Sequence, residues 1–454
     1  MLKVYDKFDQ KEISTLEYDS WSKVNTLIGG LSENFDIYRY SSIDTRLDIL
    51  IQLSKTLLEN KDELVKIIVQ EAGKPKFYAE QELERCIRTV QIGIDYIKSD
   101  CLIEKLDIDF NGTNHKSGQT KRFSKGIVFG IVPFNFPLNL ALHKIVPSII
   151  TGSPILIKPS PYTPLSLKLL IDKTNETLEH NWVNFINVEN DVADNICSHN
   201  DIRFISFTGS DQIGWKIKNS HPNKEFTLEL GGNAACIIED VSDIEIVAKQ
   251  CAIGSFLYAG QICISTQRII INDSLYNAFK SAIILATKNI VSGNPNDNAT
   301  NSSLIDKVYL DRIDTWVHEA VNQGAILLCG GKKHSIKNNI YEPTILEHVH
   351  SKSTIYTEEV FGPVVILEKY SDFNDAINLV NDSKYGLQCG VFTDDQEKRN
   401  LAFDRLEVGG VIFNNVPGFR RDEMPYGGIK DSGMGKEGIQ YAVEEMSYLK
   451  LRID

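Results

Sequence analysis

Gly126-Ile127-Val128-Phe129-Gly130-Ile131-Val132-Pro133-Phe134-Asn135-Phe136-Pro137 reads as a buried strand running into a stiff, proline-flanked loop. An apolar run without polar alternation fits a strand covered on both faces. Residues 138–150 follow with helical spacing, and the unit repeats. A strand is expected at Pro154-Ile155-Leu156-Ile157-Lys158 and a helix over 164–178, then strands at Phe185-Ile186-Asn187-Val188 and Phe204-Ile205-Ser206-Phe207. Strands and helices alternating on this period imply a parallel sheet with crossover helices. Ligands of such sheets sit beyond the carboxyl ends of the strands. The loops Pro133-Phe134-Asn135-Phe136-Pro137, Lys158-Pro159-Ser160 and Phe207-Thr208-Gly209-Ser210 should therefore line one edge.

Upstream, residues 42–71 carry Ile43, Leu47, Leu50, Leu53, Leu57, Leu64 and Ile67 near helical spacing. The spacing predicts one helical stretch, ended by Gly73-Lys74-Pro75, and a second from 77 to about 98. Residues 102–123 change character: Ile103, Leu106 and Ile108 alternate with polar residues up to Asn111-Gly112, a hairpin turn pair. A hairpin that interrupts an α/β pattern is a candidate arm for another subunit. Downstream, a second alternation begins at 235. It includes helices over 244–257, 275–290 and 312–323 and strands at 268–271, 326–328, 364–367 and 411–413, so a second domain of similar size is expected.

Between them lies Gly260-Gln261-Ile262-Cys263. By itself Cys263 is one of eight cysteines, and buried cysteines are mostly small core hydrophobes. It follows Ala259-Gly260, however, where the backbone can bend closely round a substrate, and it precedes an apolar strand. It is the candidate nucleophile. Gly433-Met434-Gly435-Lys436-Glu437-Gly438 matches a dinucleotide fingerprint in letters alone, because too little chain follows for the βαβ unit that the fingerprint requires.

Composition excludes several classes. A chain of 454 residues is expected to form two or three domains. A net charge of -13 disfavours nucleic acid, whose phosphates need Lys and Arg. The cysteines form no CxxC pair and no zinc-spaced cluster, so free thiols in a reducing cytoplasm and no metal are expected. The N-terminus lacks an apolar leader core, and no segment reaches the ~20 apolar residues of a membrane span.

Seven motifs in order carry a resemblance to the aldehyde dehydrogenase superfamily. They are the 133–137, 158–160 and 207–210 loops, Leu228-Glu229-Leu230-Gly231-Gly232, the Cys263 loop, Glu358-Glu359-Val360-Phe361-Gly362-Pro363 and Pro425-Tyr426-Gly427-Gly428. The resemblance implies an α/β fold with three parts: a Rossmann-type cofactor domain (1–103 and 124–230), an α/β catalytic domain (231–429) and a small β oligomerisation arm (104–123 and 430–454) of a homodimer or homotetramer. It implies oxidation of a small-molecule aldehyde to its acid, with NAD or NADP as cofactor. Cys263 would be the nucleophile and Glu229 the base for thioester hydrolysis, and Asn135 with the Cys263 N–H would meet the oxyanion. Lys158 and Ser160 would contact the adenosine ribose, Gly209 and Ser210 the pyrophosphate and Glu359 the nicotinamide ribose, with Phe134 and Phe361 completing the cofactor contacts.

Three departures refine this. Many NAD-preferring relatives carry an acid three residues after the lysine; here Pro161 stands there and tilts the expectation toward NADP. Ile262 replaces the arginine that relatives resembling phosphate-substrate enzymes carry before the cysteine. Arg420-Arg421, where the family's segment borders the substrate mouth, could instead pair a carboxylate or sulfonate. The resemblance is closest to the succinate-semialdehyde and lactaldehyde dehydrogenase-like branch. A CoA-acylating dehydrogenase, disfavoured by Glu229, and a non-catalytic relative are the alternatives.

Overall fold

The apolar run after Gly126 becomes strand Ile127–Ile131 near the middle of a six-stranded sheet. The structure, a computed structural model, describes residues 1–99, 102–110 and 114–453; the expected Asn111-Gly112 turn lies outside these. Across the sheet the order is Gly433–Met434, Glu225–Glu229, Ile202–Thr208, Ile127–Ile131, Ile155–Lys158 and Val183–Phe185. All neighbours are parallel except Gly433–Met434, which runs antiparallel to Glu225–Glu229. Helix Asn139–Thr151 is buried along its whole length, with His143 paired to Asp422 and Lys144 to Glu437 inside the protein. The strand expected at 185–188 sits two residues earlier, because Val183 pairs with Ile155 while Trp182 and Ile186 are buried beside it.

One N-terminal expectation is corrected. The single helical stretch over 42–71 is two helices, Ile43–Glu59 and Lys61–Ala72. The break is at Asn60, whose backbone N–H and side-chain amide both donate to the Thr56 carbonyl, at 3.2 and 2.8 Å. An asparagine competing for a carbonyl in this way ends a helix. Gly73, at φ 63°, closes the second helix. Before them lie a hairpin, Leu2–Tyr5 with Glu12–Leu16, and helix Trp21–Glu33. The sequence reading passed over both.

The second sheet has seven strands in the order Ile326–Cys329, Thr344–Glu347, Val364–Tyr370, Thr266–Asn272, Ala234–Ile238, Gln388–Phe392 and Gly410–Phe413. Only Ile326–Cys329 runs antiparallel to its neighbour. Ile103–Phe110, Asn114–Ser124 and Ser447–Ile453 form a separate antiparallel sheet, the last strand pairing from Ser447↔Ser124 to Ile453↔Gly118. Leu449 and Leu451 on that outer strand are 54% and 57% exposed. Among the described residues no helix is long and apolar enough to cross a membrane.

Candidate active site

The carboxyl ends of the first sheet face the second across a cavity of about 1230 Å³, and every site residue singled out from the sequence lines it. Cys263 enters on a loop with an unusual backbone: Tyr258, Ala259 and Gly260 are successively left-handed, at φ 50°, 55° and 67°. Two non-glycine residues in that region cost roughly 1–2 kcal/mol each. The bend is held by the buried Tyr258, whose hydroxyl donates to the Ala72 carbonyl at 2.9 Å and whose N–H donates to Thr300. Gly260 is obligatory, since a Cβ there would lie 2.2 Å from the Gly362 carbonyl oxygen. The loop leaves Cys263 partly exposed to the cavity, with its sulfur 2.9 Å from the Tyr426 hydroxyl. Burial pushes the thiol up to about 12, while the Tyr426 hydrogen bond and the Arg420 charge act in the opposite sense.

Asn135 is buried on the opposite wall, its Oδ1 accepting from the Phe136 N–H and its Nδ2 donating to the Gln261 carbonyl at 2.9 Å. The side chain is thereby locked two residues from Cys263, with one amide proton still to spend. The Cys263 N–H has no acceptor among the described residues.

Glu229 ends its strand with both carboxylate oxygens buried and unpartnered. Burial, then the neighbouring Glu437, push its carboxyl well above the usual range, against the pull of Arg420 and Lys144. Glu437 goes the other way, down to about 2, because Lys144 and Arg420 outweigh its burial. Lys144 Nζ is 3.1 Å from Glu437 Oε1, and Arg420 donates to Glu437 Oε2 at 3.0 Å. Two acids thus share one cavity wall with opposed shifts, Glu229 raised and Glu437 lowered by its pairing with Lys144 and Arg420.

The wall around Lys158, Ser210 and Glu359 could hold a dinucleotide. Lys158 is 7% exposed, its ammonium pairs with no described residue, and burial lowers its pKa. Ser210 precedes helix Asp211–Ser220 without capping it through its own side chain, which leaves first-turn N–H groups for an anion. Glu359 is pushed up to about 8 by burial and accepts from the Gly232 N–H at 3.0 Å. A Cβ on Gly231 would meet Glu359 Oε2 at 2.6 Å. Phe134 stands edge-on to Phe361 and to Tyr162, with ring centroids 5.7 and 6.0 Å apart.

The arginine pair divides. The Arg420 side chain is 8% exposed and lies over the Tyr426 ring at 3.7 Å, with its Nε buried and unpartnered. Arg421 is exposed at the mouth, near the Phe419 ring. Arg85, also in the lining, is already paired with Asp422 through two hydrogen bonds. Lys144, Tyr426 and Glu437 were not anticipated as site residues. A lysine inside the apolar 138–150 run was the available sign for the first. Glu437 sits in the Gly433-Met434-Gly435-Lys436-Glu437-Gly438 stretch, which matches a dinucleotide fingerprint in letters alone and gives no sign of this role.

The chain matches the family model described as "Aldehyde dehydrogenase family" over residues 1–451. It is 39% identical over 414 residues to a lactaldehyde dehydrogenase of Methanococcus aeolicus, covering 89% of this chain and 86% of that protein. It is 33% identical over 454 residues to a 3-sulfolactaldehyde dehydrogenase of Priestia megaterium, covering 98% and 93%. The crystal structure of a glyceraldehyde-3-phosphate dehydrogenase from Methanocaldococcus jannaschii complexed with NADP superposes with a TM-score of 0.94, at 32% identity, over 100% of this chain and 99% of that one.

Proposed function

The chain belongs to the aldehyde dehydrogenase family, and on that premise we propose which of its residues carry the NAD(P)-dependent oxidation of a small polar aldehyde to the carboxylic acid. The observation that supports the assignment is the convergence of the Cys263 sulfur, its unspent N–H and the locked Asn135 amide in one cavity. Cys263, as thiolate, attacks the aldehyde carbon, and the carbonyl oxygen becomes an alkoxide on a tetrahedral thiohemiacetal. Asn135 Nδ2 and the Cys263 N–H donate to that alkoxide and are fixed beforehand, so little reorganisation is needed as charge develops. The nicotinamide cofactor, when bound, supplies the hydride acceptor. Lys158, Ser160, Gly209, Ser210 and Glu359 would hold it, with Phe134 and Phe361 packed beside it. Glu229 then takes a proton from water as the water oxygen attacks the thioester carbon, and the Cys263 sulfur leaves with the acid released.

The substrate class is the finer part of the reading. The buried Arg420 Nε has a hydrogen bond to give, and the guanidinium is fixed in orientation by Tyr426 and Glu437. A carboxylate or sulfonate on the aldehyde suits that donor. Pro161 neither grips a ribose 2′-hydroxyl nor repels a 2′-phosphate, and the uncompensated Lys158 favours the extra charge, so NADP is the cofactor proposed. Initial rates with carboxylated, sulfonated and neutral aldehydes against NAD and NADP test both points. An anionic aldehyde with NADP is expected to give the highest kcat/KM, and Arg420→Met to lower it about 10- to 100-fold more for anionic than for neutral aldehydes. Equal losses for neutral aldehydes would sink the anion reading.

We assign the exposed apolar strand Ser447–Ile453 to self-association, since an open edge carrying Leu449 and Leu451 invites pairing. The wild type is expected to elute as a dimer or larger and Leu449→Glu/Leu451→Glu as a smaller species. A monomeric wild type would refute it.

A further inference from the structure

We propose that the Tyr426 hydroxyl is a further catalytic group, one that donates a hydrogen bond to the Cys263 sulfur and favours its thiolate form, with the Arg420 guanidinium on the ring face sharpening the donor. The proposal rests on the reading of Cys263 as nucleophile. Its observations are the 2.9 Å contact between the hydroxyl and the sulfur and the 3.7 Å approach of the guanidinium to the ring centroid. Tyr426 is 3% exposed, and its hydroxyl proton has no other acceptor among the described residues. The arrangement that satisfies that proton is O–H donating to sulfur.

A thiol gains little from such a donor, whereas a thiolate gains a charge-assisted hydrogen bond. A cation on the face of an aromatic ring draws on its electron density and makes the attached hydroxyl a better donor. Burial, and then the Cys263 charge, hold the phenol protonated, so Tyr426 stays a donor while the thiol proton departs through the cavity to solvent. The surroundings need this help. Burial raises the thiol, Glu359 and Glu229 raise it further, and Tyr426 and Arg420 act the other way. Glu437 faces the same cavity as an anion, but Arg420 and Lys144 occupy its charge.

The pH dependence of iodoacetamide alkylation of Cys263, followed on its own peptide by mass spectrometry, reads thiolate directly and needs no aldehyde turnover. Failure of this proposal is thus distinct from failure of the nucleophile assignment, which Cys263→Ala activity decides. In Tyr426→Phe the alkylation midpoint is expected to rise by about one to two pH units, and labelling at neutral pH to fall about 10- to 100-fold. A purely structural role for Tyr426 would leave the midpoint in place, and an unchanged or lowered midpoint overturns the proposal. Replacing Tyr426 by 3-fluorotyrosine, whose phenol is more acidic at nearly the same volume, serves if Tyr426→Phe does not fold. There the midpoint is expected to fall, and a midpoint that stays or rises overturns the proposal as well.

Discussion

Cys263→Ala is expected to lower aldehyde-dependent cofactor reduction by on the order of 10⁵-fold while cofactor binding persists. The size of the loss follows from the absence of a substitute. Among the described residues no other cysteine lines the cavity. Binding should survive because Lys158, Ser210 and Glu359 stand on segments other than the Cys263 loop. The change removes one sulfur atom and leaves the buried Tyr426 hydroxyl without its partner, so stability should fall by about 1–3 kcal/mol. Stopped-flow and steady-state absorbance of the reduced cofactor, with cofactor titration by protein fluorescence, would check each part. Turnover within tenfold of the wild type would remove Cys263 from the chemistry.

Glu229→Gln should separate the two halves of the reaction. The first half uses the sulfur and the oxyanion donors, so about one equivalent of reduced cofactor per site should appear in a rapid burst. Release of acid then lacks its base, and steady turnover should drop about 10²–10⁴-fold. Absence of the burst would place Glu229 before hydride transfer, contrary to the assignment. The wild type adds a pH signature. Glu229 is raised by burial and by Glu437, and only its ionised form accepts a proton, so the hydrolytic rate should climb as pH rises through that elevated value. The Gln variant should lose this limb. Linkage gives a matching sign in stability. A carboxyl whose folded pKa lies above its unfolded one stabilises the fold at low pH, and that contribution is lost as pH rises through the folded value. The variant should therefore gain on the wild type toward alkaline pH.

The parts of this site that could be read in advance are those fixed by local backbone rules. Proline-flanked Asn135, the glycines around Glu229 and the small residues before Cys263 each announce a loop that must bend or approach closely, and all come to the cavity. Lys144, Tyr426 and Glu437 could not be read in this way, because their roles come from meeting across the fold. Lys144 lies on a helix packed under the sheet, and Glu437 is almost 300 positions away in a loop beside an antiparallel edge strand. Periodicity carries no information about such meetings. The break at Asn60 was missed for the opposite reason: the apolar spacing continues across it, and only the competition for the Thr56 carbonyl interrupts the helix.

The packing of Gly260 against the Gly362 carbonyl divides the cavity walls by how freely each can be rewritten. The thiol loop and the Glu359–Gly362 segment lean on each other backbone to backbone, so no side-chain exchange can reshape one without dislodging the other. That wall is a fixed reference, common to whatever aldehyde is oxidised. The Arg421 side chain projects into solvent at the facing rim, and a new substrate preference would be built there by mutation or by design.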